Sequence, residues 1–399
     1  MDQLLFIVTM VTFFSFNTIQ AQLGIPQFGE GIQITAADSS IYLKIGFRFQ
    51  TLSTQEWTAY GEGLSKLGDF NSAFYIRRAR LKFEGWAISK KLVYKAELAL
   101  SNRDNGGGDS EEFSNAANII LDAYLEYNFH KSLSIRIGQF KLPGNRERVI
   151  SSGDLQFVDR SQLNAAYSLD RDAGIMLINK HSFRNVIMKE MLAISSGEGR
   201  NITGNNKGGY GYSFRIEVLP FGEFKSDGDY VGSAVAYEEK PRLAIGITYD
   251  YNDKAGRTQG QVGNFIPDSG NLKDINSIFI DFMYKHKNLS IMAEYAKRNT
   301  NDDDPNVLDN QENVIATYYM GEAINFALGY MLKNNWELAF RWTDNNPQNE
   351  VSNKEELYTF GVSKYIAGHN LKIQSDLTYK SIKGANNGLV YRIQTDFHF

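Results

Sequence analysis

Leu389-Val390-Tyr391-Arg392-Ile393-Gln394-Thr395-Asp396-Phe397-His398-Phe399 ends the chain on a two-residue alternation. Leu389, Tyr391, Ile393, Phe397 and Phe399 fall on one face, and Arg392, Gln394, Asp396 and His398 on the other. Successive side chains of a β-strand point to opposite faces, so this period marks a strand that separates two environments. The pattern recurs. Ile41, Leu43, Ile45, Phe47 and Phe49 alternate with Tyr42, Lys44, Gly46, Arg48 and Gln50; Tyr210, Tyr212, Phe214 and Ile216 alternate with Gly211, Ser213, Arg215 and Glu217. No amphipathic helix of comparable length is read.

Composition agrees. Aromatic residues make up 13% of the chain and apolar residues 42%, with 35 glycines. That balance suits one apolar and one wet face better than a packed globule. The alternation predicts sixteen strands, starting near Ile41, Phe74, Leu92, Asn118, Leu133, Ala173, Val186, Tyr210, Arg242, Asn276, Leu289, Ile315, Trp336, Leu357, Leu371 and Leu389. Connections alternate between short (89–91, 130–132, 285–288, 333–335, 367–370) and long (53–73, 102–117, 142–172, 252–275, 299–313). Segment 219–241 breaks that rule by being long where a short turn is due.

Short turns at one end and long loops at the other predict an all-β fold, a transmembrane antiparallel β-barrel of about 16 strands. Strands of about ten residues cross a bilayer when tilted. Phe74, Trp86, Tyr127, Phe129, Tyr249, Tyr251, Trp336 and Trp342 recur toward strand ends, where interfacial girdles belong. A soluble sandwich also alternates, but its apolar face is mostly aliphatic. The ending on Phe399 resembles the assembly signal of outer-membrane barrels, which implies outer-membrane lipid and a barrel-assembly machinery as partners.

Residues 4–16 form an apolar run too short to span a bilayer and suited to a signal-peptide core, followed by Ile19-Gln20-Ala21-Gln22. The start carries Asp2 and no Lys or Arg, a departure from the usual pattern. The expected division is 1–21 signal peptide, cleaved after Ala21; 22–40 periplasmic segment; 41–399 barrel in a Gram-negative outer membrane, with 142–172 as a candidate constriction loop.

The chain has no cysteine, so disulfides and thiolate sites are excluded. Its five histidines show no metal-ligand spacing, and neither a G-x-S-x-G elbow nor a P-loop is present. Net charge is −4, which gives no global signal for nucleic acid. The expectation is a protein that is not an enzyme and needs no cofactor.

The stretch Phe74-Tyr75-Ile76-Arg77-Arg78-Ala79-Arg80-Leu81-Lys82-Phe83-Glu84-Gly85 carries the chemistry. Ala79, Leu81 and Phe83 must meet lipid, because a cation there costs roughly 2–4 kcal/mol at mid-depth. Arg78, Arg80 and Lys82 then line the lumen about 7 Å apart, and Arg77 points outward near an interface. Mutual repulsion is roughly 0.6 kcal/mol per neighbouring pair in water, relieved whenever an anion enters. Two readings stand open: a path for anions, or pairing with Glu84, Glu97, Asp122 and Glu126. A second stretch holds Arg136, then Arg146, Arg148 and Arg160 on the longest loop of the first half. Folded inward, it would narrow the pore; folded outward, its arginines would meet Glu147 and Asp159.

Both stretches resemble the phosphate-selective porin O and P family. The resemblance rests on Arg77-Arg78-Ala79-Arg80-Leu81 with Phe83 and Gly85, on Gly138-Gln139-Phe140-Lys141 with Pro143 and Glu147, and on Phe157, Asp159, Arg160 and Ser161. It implies a sixteen-stranded homotrimeric porin with an arginine-lined path for small anions such as phosphate. Arg77, Arg78, Arg80 and Arg160 match by position. The alternative is a general or plugged barrel with a structural or adhesin role.

Overall fold

The computed structural model describes residues 21–23, 27–60, 63–105, 118–348 and 350–399. Sixteen strands form a closed antiparallel barrel, each paired with its sequence neighbours. The first eight are β1 (Ile41–Tyr60), β2 (Lys66–Ala87), β3 (Ser89–Ala99), β4 (Ile120–Asn128), β5 (Leu133–Lys141), β6 (Arg171–Phe183), β7 (Val186–Ser195) and β8 (Gly211–Leu219). The second eight are β9 (Glu238–Asn252), β10 (Ile275–Lys287), β11 (Leu289–Thr300), β12 (Gly321–Met331), β13 (Trp336–Pro347), β14 (Glu355–Tyr365), β15 (Leu371–Ile382) and β16 (Asn387–His398). Closure runs from β16 to β1, with Phe397 opposite Phe49 and His398 opposite Arg48. Phe399 extends the seam by exchanging backbone hydrogen bonds with Phe47 at 3.1 and 3.2 Å.

The molecule is inside-out relative to a soluble globule. Ile247 and Phe360 are 54% and 52% exposed, whereas Arg215 and Asp281 are 0% and 1% exposed. Alternation sets this arrangement: one face of every strand meets hydrocarbon, and the other meets the lumen or what fills it. Exposed aromatics stand toward strand ends, as in Tyr212, stacked on Tyr251, and the edge-on Tyr127–Phe129 pair. Trp86, expected in the girdle, instead stacks half-buried on Tyr42, on the same face as the Lys44 and Glu84 pair.

Three sequence expectations shift. First, β1 and β2 run on to Tyr60 and from Lys66, so most of the 53–73 segment is a long hairpin rather than a loop. Second, β12 begins at Gly321; Val314–Thr317, which also alternates, pairs with Asn306–Leu308 in an outer hairpin instead. Third, the 219–241 segment hides no membrane strand pair. It is an elaborated turn whose Lys225–Tyr230 helical bend folds into the lumen. There Gly232 N donates to Asp154 O at 2.8 Å, and Lys285 Nζ donates to Val231 O and Ser233 O at 2.8 and 2.6 Å.

Outside the sixteen, Ile32–Ala36 pairs with Tyr42–Ile45 at the start of β1, and Ala21–Leu23 pairs back onto it. Residues 1–20, which hold the expected signal segment, lie outside the described residues.

Candidate functional site in the lumen

The 142–170 loop lies inside the barrel, laid along the wall built by β8 to β16. Its anchors are polar and buried. Arg146 Nε meets Asp281 at 2.8 Å and Nη2 meets Glu217 at 3.3 Å. Glu147 N donates to Glu294 at 2.7 Å, Gln156 Nε2 to Glu337 at 2.8 Å, and Val158 N to Asp376 at 3.1 Å. In the other direction, wall side chains donate to loop carbonyls: Arg298 to Tyr167 O at 2.6 Å, Arg341 to Asp159 O at 2.8 Å, Lys372 to Leu155 O at 2.9 Å. Irregular backbone is tolerated at membrane depth only where protein or lumen water satisfies it, and here the wall does so. Ser161 caps the short helix Gln162–Tyr167, whose Leu163 and Tyr167 pack into a core with Phe140 and Phe279.

Because the loop occupies the second-half wall, a cavity of about 1150 Å³ remains against β1 to β8. Fifteen Lys or Arg and eight carboxylates are among the described residues that line it. Arg78, Arg80, Lys82, Arg136, Arg148 and Arg160 are in that lining.

Several of these cations are neutralised in place. Arg80 bridges Glu97 at 3.0 Å and Asp104 at 2.5 Å; Lys82 meets Glu84 at 2.5 Å; Arg136 meets Glu126 at 2.6 Å; Arg148 pairs with Asp170. The pairing reading therefore accounts for part of the ladder of cations formed by Arg78, Arg80 and Lys82. Arg78 and Arg160 differ. Arg78 Nη1 donates to the Gln50 amide at 2.6 Å, its Nε has no partner, and no carboxylate lies within ion-pair distance among the described residues. Arg160 is held by two carbonyls, Glu147 O at 3.0 Å and Ile150 O at 2.8 Å. Burial, and then the Arg148 charge beside it, push the Arg160 pKa down to about 9. The group stays protonated at neutral pH, in a seat that favours an incoming anion. Lys141 is held likewise, by the carbonyls of Arg148, Val149 and Ile150 at 3.0, 3.0 and 3.2 Å.

Two sequence-predicted residues stand elsewhere. Arg77 does not point outward: the β1–β2 register shifts between Gln50/Arg78 and Thr51/Ile76, leaving Arg77 as the extra residue of a β-bulge. A bulge re-aims a side chain, and Arg77 turns inward to pair with Asp159 of the loop. Arg146 does not line the cavity; its guanidinium is sealed against the wall between Asp281 and Glu217, so it anchors the loop. Reading by residues passed over Arg48 and Lys141. Arg48 grips Asp396 across the barrel seam at 2.7 Å and the loop's Ser152 Oγ at 2.7 Å. Its signal was the Phe47-Arg48-Phe49 alternation, which put it on the wet face of β1.

A family model described as phosphate-selective porin O and P matches residues 62–398. A protein of Aquifex aeolicus (strain VF5), described only as uncharacterized, is 24% identical over 372 residues, covering 85% of this chain and 84% of that one. The fold is similar to the outer membrane channel DcaP of Acinetobacter baumannii, at a TM-score of 0.56 and 9% identity, covering 91% of this chain and 99% of that one. It is also similar to OmpF of Salmonella typhi in complex with daunomycin, with TM-score 0.56, 13% identity and coverages of 90% and 98%. An anion-selective porin from Comamonas acidovorans aligns at TM-score 0.52 and 8% identity, covering 90% and 100%.

Proposed function

The chain belongs to the phosphate-selective porin O and P family, and on that premise we propose that this outer-membrane porin passes small anions such as phosphate by passive diffusion. The supporting observation is Arg78, a cation facing the first-half cavity whose described partners include no carboxylate. Arg160 and Lys141 stand beside the same cavity on carbonyls alone. Conduction needs sites that attract an ion and also release it. One contact at 4 Å is worth roughly 1 kcal/mol in water and about 4 kcal/mol at an effective dielectric of 20. Neutralised pairs interleaved with free cations supply weak steps rather than one deep well. Arg77, Arg80, Lys82, Arg136, Arg148 and the anchoring Arg146 shape that path, and the 142–170 loop constricts it. Export through a signal peptide cleaved after Ala21, assembly through Phe399 and a homotrimeric state belong to the same proposal.

Planar-bilayer recording tests it. Wild type is expected to give open, ohmic steps with an anion-preferring reversal potential in a salt gradient. Arg78→Gln with Arg80→Gln and Lys82→Gln should leave a heat-modifiable barrel whose reversal potential moves toward cations. Silent insertion would favour the plugged, structural barrel, and unchanged selectivity in a folded triple variant would remove these residues from the path.

A further inference from the structure

Lumen walls are polar as a rule, and on β10 the inward residues alternate between polar Ser277, Asp281 and Lys285 and apolar Ile275, Phe279 and Met283, the apolar ones each 1% exposed or less. On β4 to β7 part of the inward apolar surface stays at the cavity instead. Tyr124 on β4, Phe140 on β5, Met176 and Ile178 on β6 and Met191 on β7 all line the cavity. Ile178 sits directly opposite Met191, and Met176 opposite Ala193, so the band crosses from β6 to β7; on β5 the residues opposite Met176 and Ile178 are Arg136 and Ser134, which bound it. Loop residues Leu142, Leu163 and Leu169 cover Phe140 and Met176, while Tyr124, Ile178 and Met191 are only half-buried at the edge of that core. Apolar surface is thus left facing the pore, only partly covered among the described residues.

Cations flank the band at both ends. Lys141, on carbonyls alone, and Arg171, paired with Asp122 at 2.6 Å, lie at the outer ends of β5 and β6, and Lys180 and Lys189, paired with Glu223 and Asp229 at 2.7 and 2.6 Å, lie toward the periplasmic ends of β6 and β7. The Arg136 guanidinium sits 4.3 Å from the Tyr124 ring centre and 5.7 Å from that of Phe140. Arg78 faces the same cavity from β2. A solute matching both features has an anionic head and a small apolar body.

We propose that this lumen selects amphiphilic organic anions, phosphate monoesters or carboxylates carrying an aromatic or short aliphatic group, over inorganic anions of equal charge. The head pairs with Arg78 and Arg160 while the body slides over Tyr124, Ile178 and Met191. This rests on the anion-path reading and adds the substrate class to it. Methionine suits such a surface because its unbranched, polarizable side chain adapts to differing shapes. Partial burial of one ring attracts without trapping, as passage requires.

Block of chloride current through the wild-type porin tests the proposal, with phenyl phosphate compared with inorganic phosphate at a pH where both are dianions. Phenyl phosphate should half-block at about a tenfold lower concentration, the effect of partly burying one ring. Benzyl alcohol, with the ring and no charge, should not block in that range. Ile178→Ser with Met191→Ser should bring the two phosphates to nearly equal half-block concentrations. Met191→Leu should keep them apart. The readout is a ratio within one protein, so a changed basal conductance cancels, and Met191→Gln alone serves if the double variant yields no heat-modifiable barrel. Equal block by both phosphates in a chloride-conducting wild type overturns this inference alone, as does equal block by benzyl alcohol or a serine variant that keeps the ratio. A wild type that carries no anion current overturns the anion-path reading together with it.

Discussion

Arg146 and Asp281 meet across 135 residues of sequence, Nε to Oδ1 at 2.8 Å, with neither side chain exposed to solvent. The same guanidinium reaches Glu217 at 3.3 Å and gives Nη1 to Asp229 O at 2.9 Å. One arginine thereby ties the outer loop, two wall strands and the periplasmic turn together. Arg215 shares both carboxylates of this seat, at 2.6 and 2.7 Å, and Lys189 reaches Glu217 at 3.8 Å.

Arg146→Ala removes one cation from that seat and leaves Asp281 and Glu217 under-compensated in a sealed site. Breaking a buried charge pair from one side costs about 3 kcal/mol. The barrel wall does not depend on the pair, so the expected outcome is a barrel that still migrates in the heat-modified manner but conducts with larger and noisier steps. Single-channel recording checks this, and quiet, wild-type steps would show that the loop is held without Arg146.

Arg78→Gln is expected to shift the reversal potential toward cations more than Lys82→Gln does. Lys82 already meets Glu84 at 2.5 Å, so its removal frees a carboxylate and a counter-ion adjusts, whereas Arg78 shows no carboxylate partner to free. Zero-current potentials of the two single variants in one salt gradient decide it. Equal shifts would mean that local pairing does not set the strength of the site.

The hold of the loop on the ladder should weaken in acid. Burial works to raise the Asp159 pKa, but the charges of Arg77, Arg392 and Arg78 and the Arg77 hydrogen bond outweigh it, and the carboxyl is held well below the ordinary carboxylate value of 3.8. A depressed carboxylate contributes stability that is fully present above its unfolded pKa and is lost as pH falls through the folded one. Conductance is therefore expected to be steady from neutral pH down to about 4 and to change only below that. Asp159→Asn should bring the acid behaviour to neutral pH by leaving Arg77 unpaired and removing the 3.5 Å contact with Arg392. A pH series of single-channel conductance on both proteins is the measurement, and a variant indistinguishable from wild type at neutral pH would sink the argument.

The porin is expected to be a homotrimer in detergent. Closed point-group symmetry is the common solution for homo-oligomers, and the outer face bears exposed apolar side chains such as Phe74, Ile247 and Phe360, whether they meet lipid or a second copy. Light scattering with the detergent mass subtracted should give three times the chain mass. A single-chain mass would confine the apolar outer face to lipid contact.

Much of this was readable from residue order, for a physical reason. Hydrocarbon on one side and water on the other impose a period of two on every strand, so Leu389 to Phe399 and its counterparts declare the barrel, the strand directions and the wet face. That rule placed Arg78, Arg80 and Lys82 in the lumen. The alternation is faint in β6 because Gly174-Ile175-Met176-Leu177-Ile178 is apolar on both faces, and the structure gives the cause: Met176 and Ile178, the inward half of that run, line the cavity. The same rule put Arg77 outside, since a one-residue bulge leaves no mark on composition. Which cations are free was not readable at all. Arg148 and Arg146 stand two residues apart, yet one borders the cavity and the other is locked to Asp281. That outcome depends on where a loop lands across the barrel, and contacts more than a hundred residues apart in sequence decide it. The sequence alone determined the barrel and the face on which its charges stand. Only the tertiary structure, through the seating of the 142–170 loop on the second-half wall, decided which half of the lumen stays open and which charges remain unpaired there.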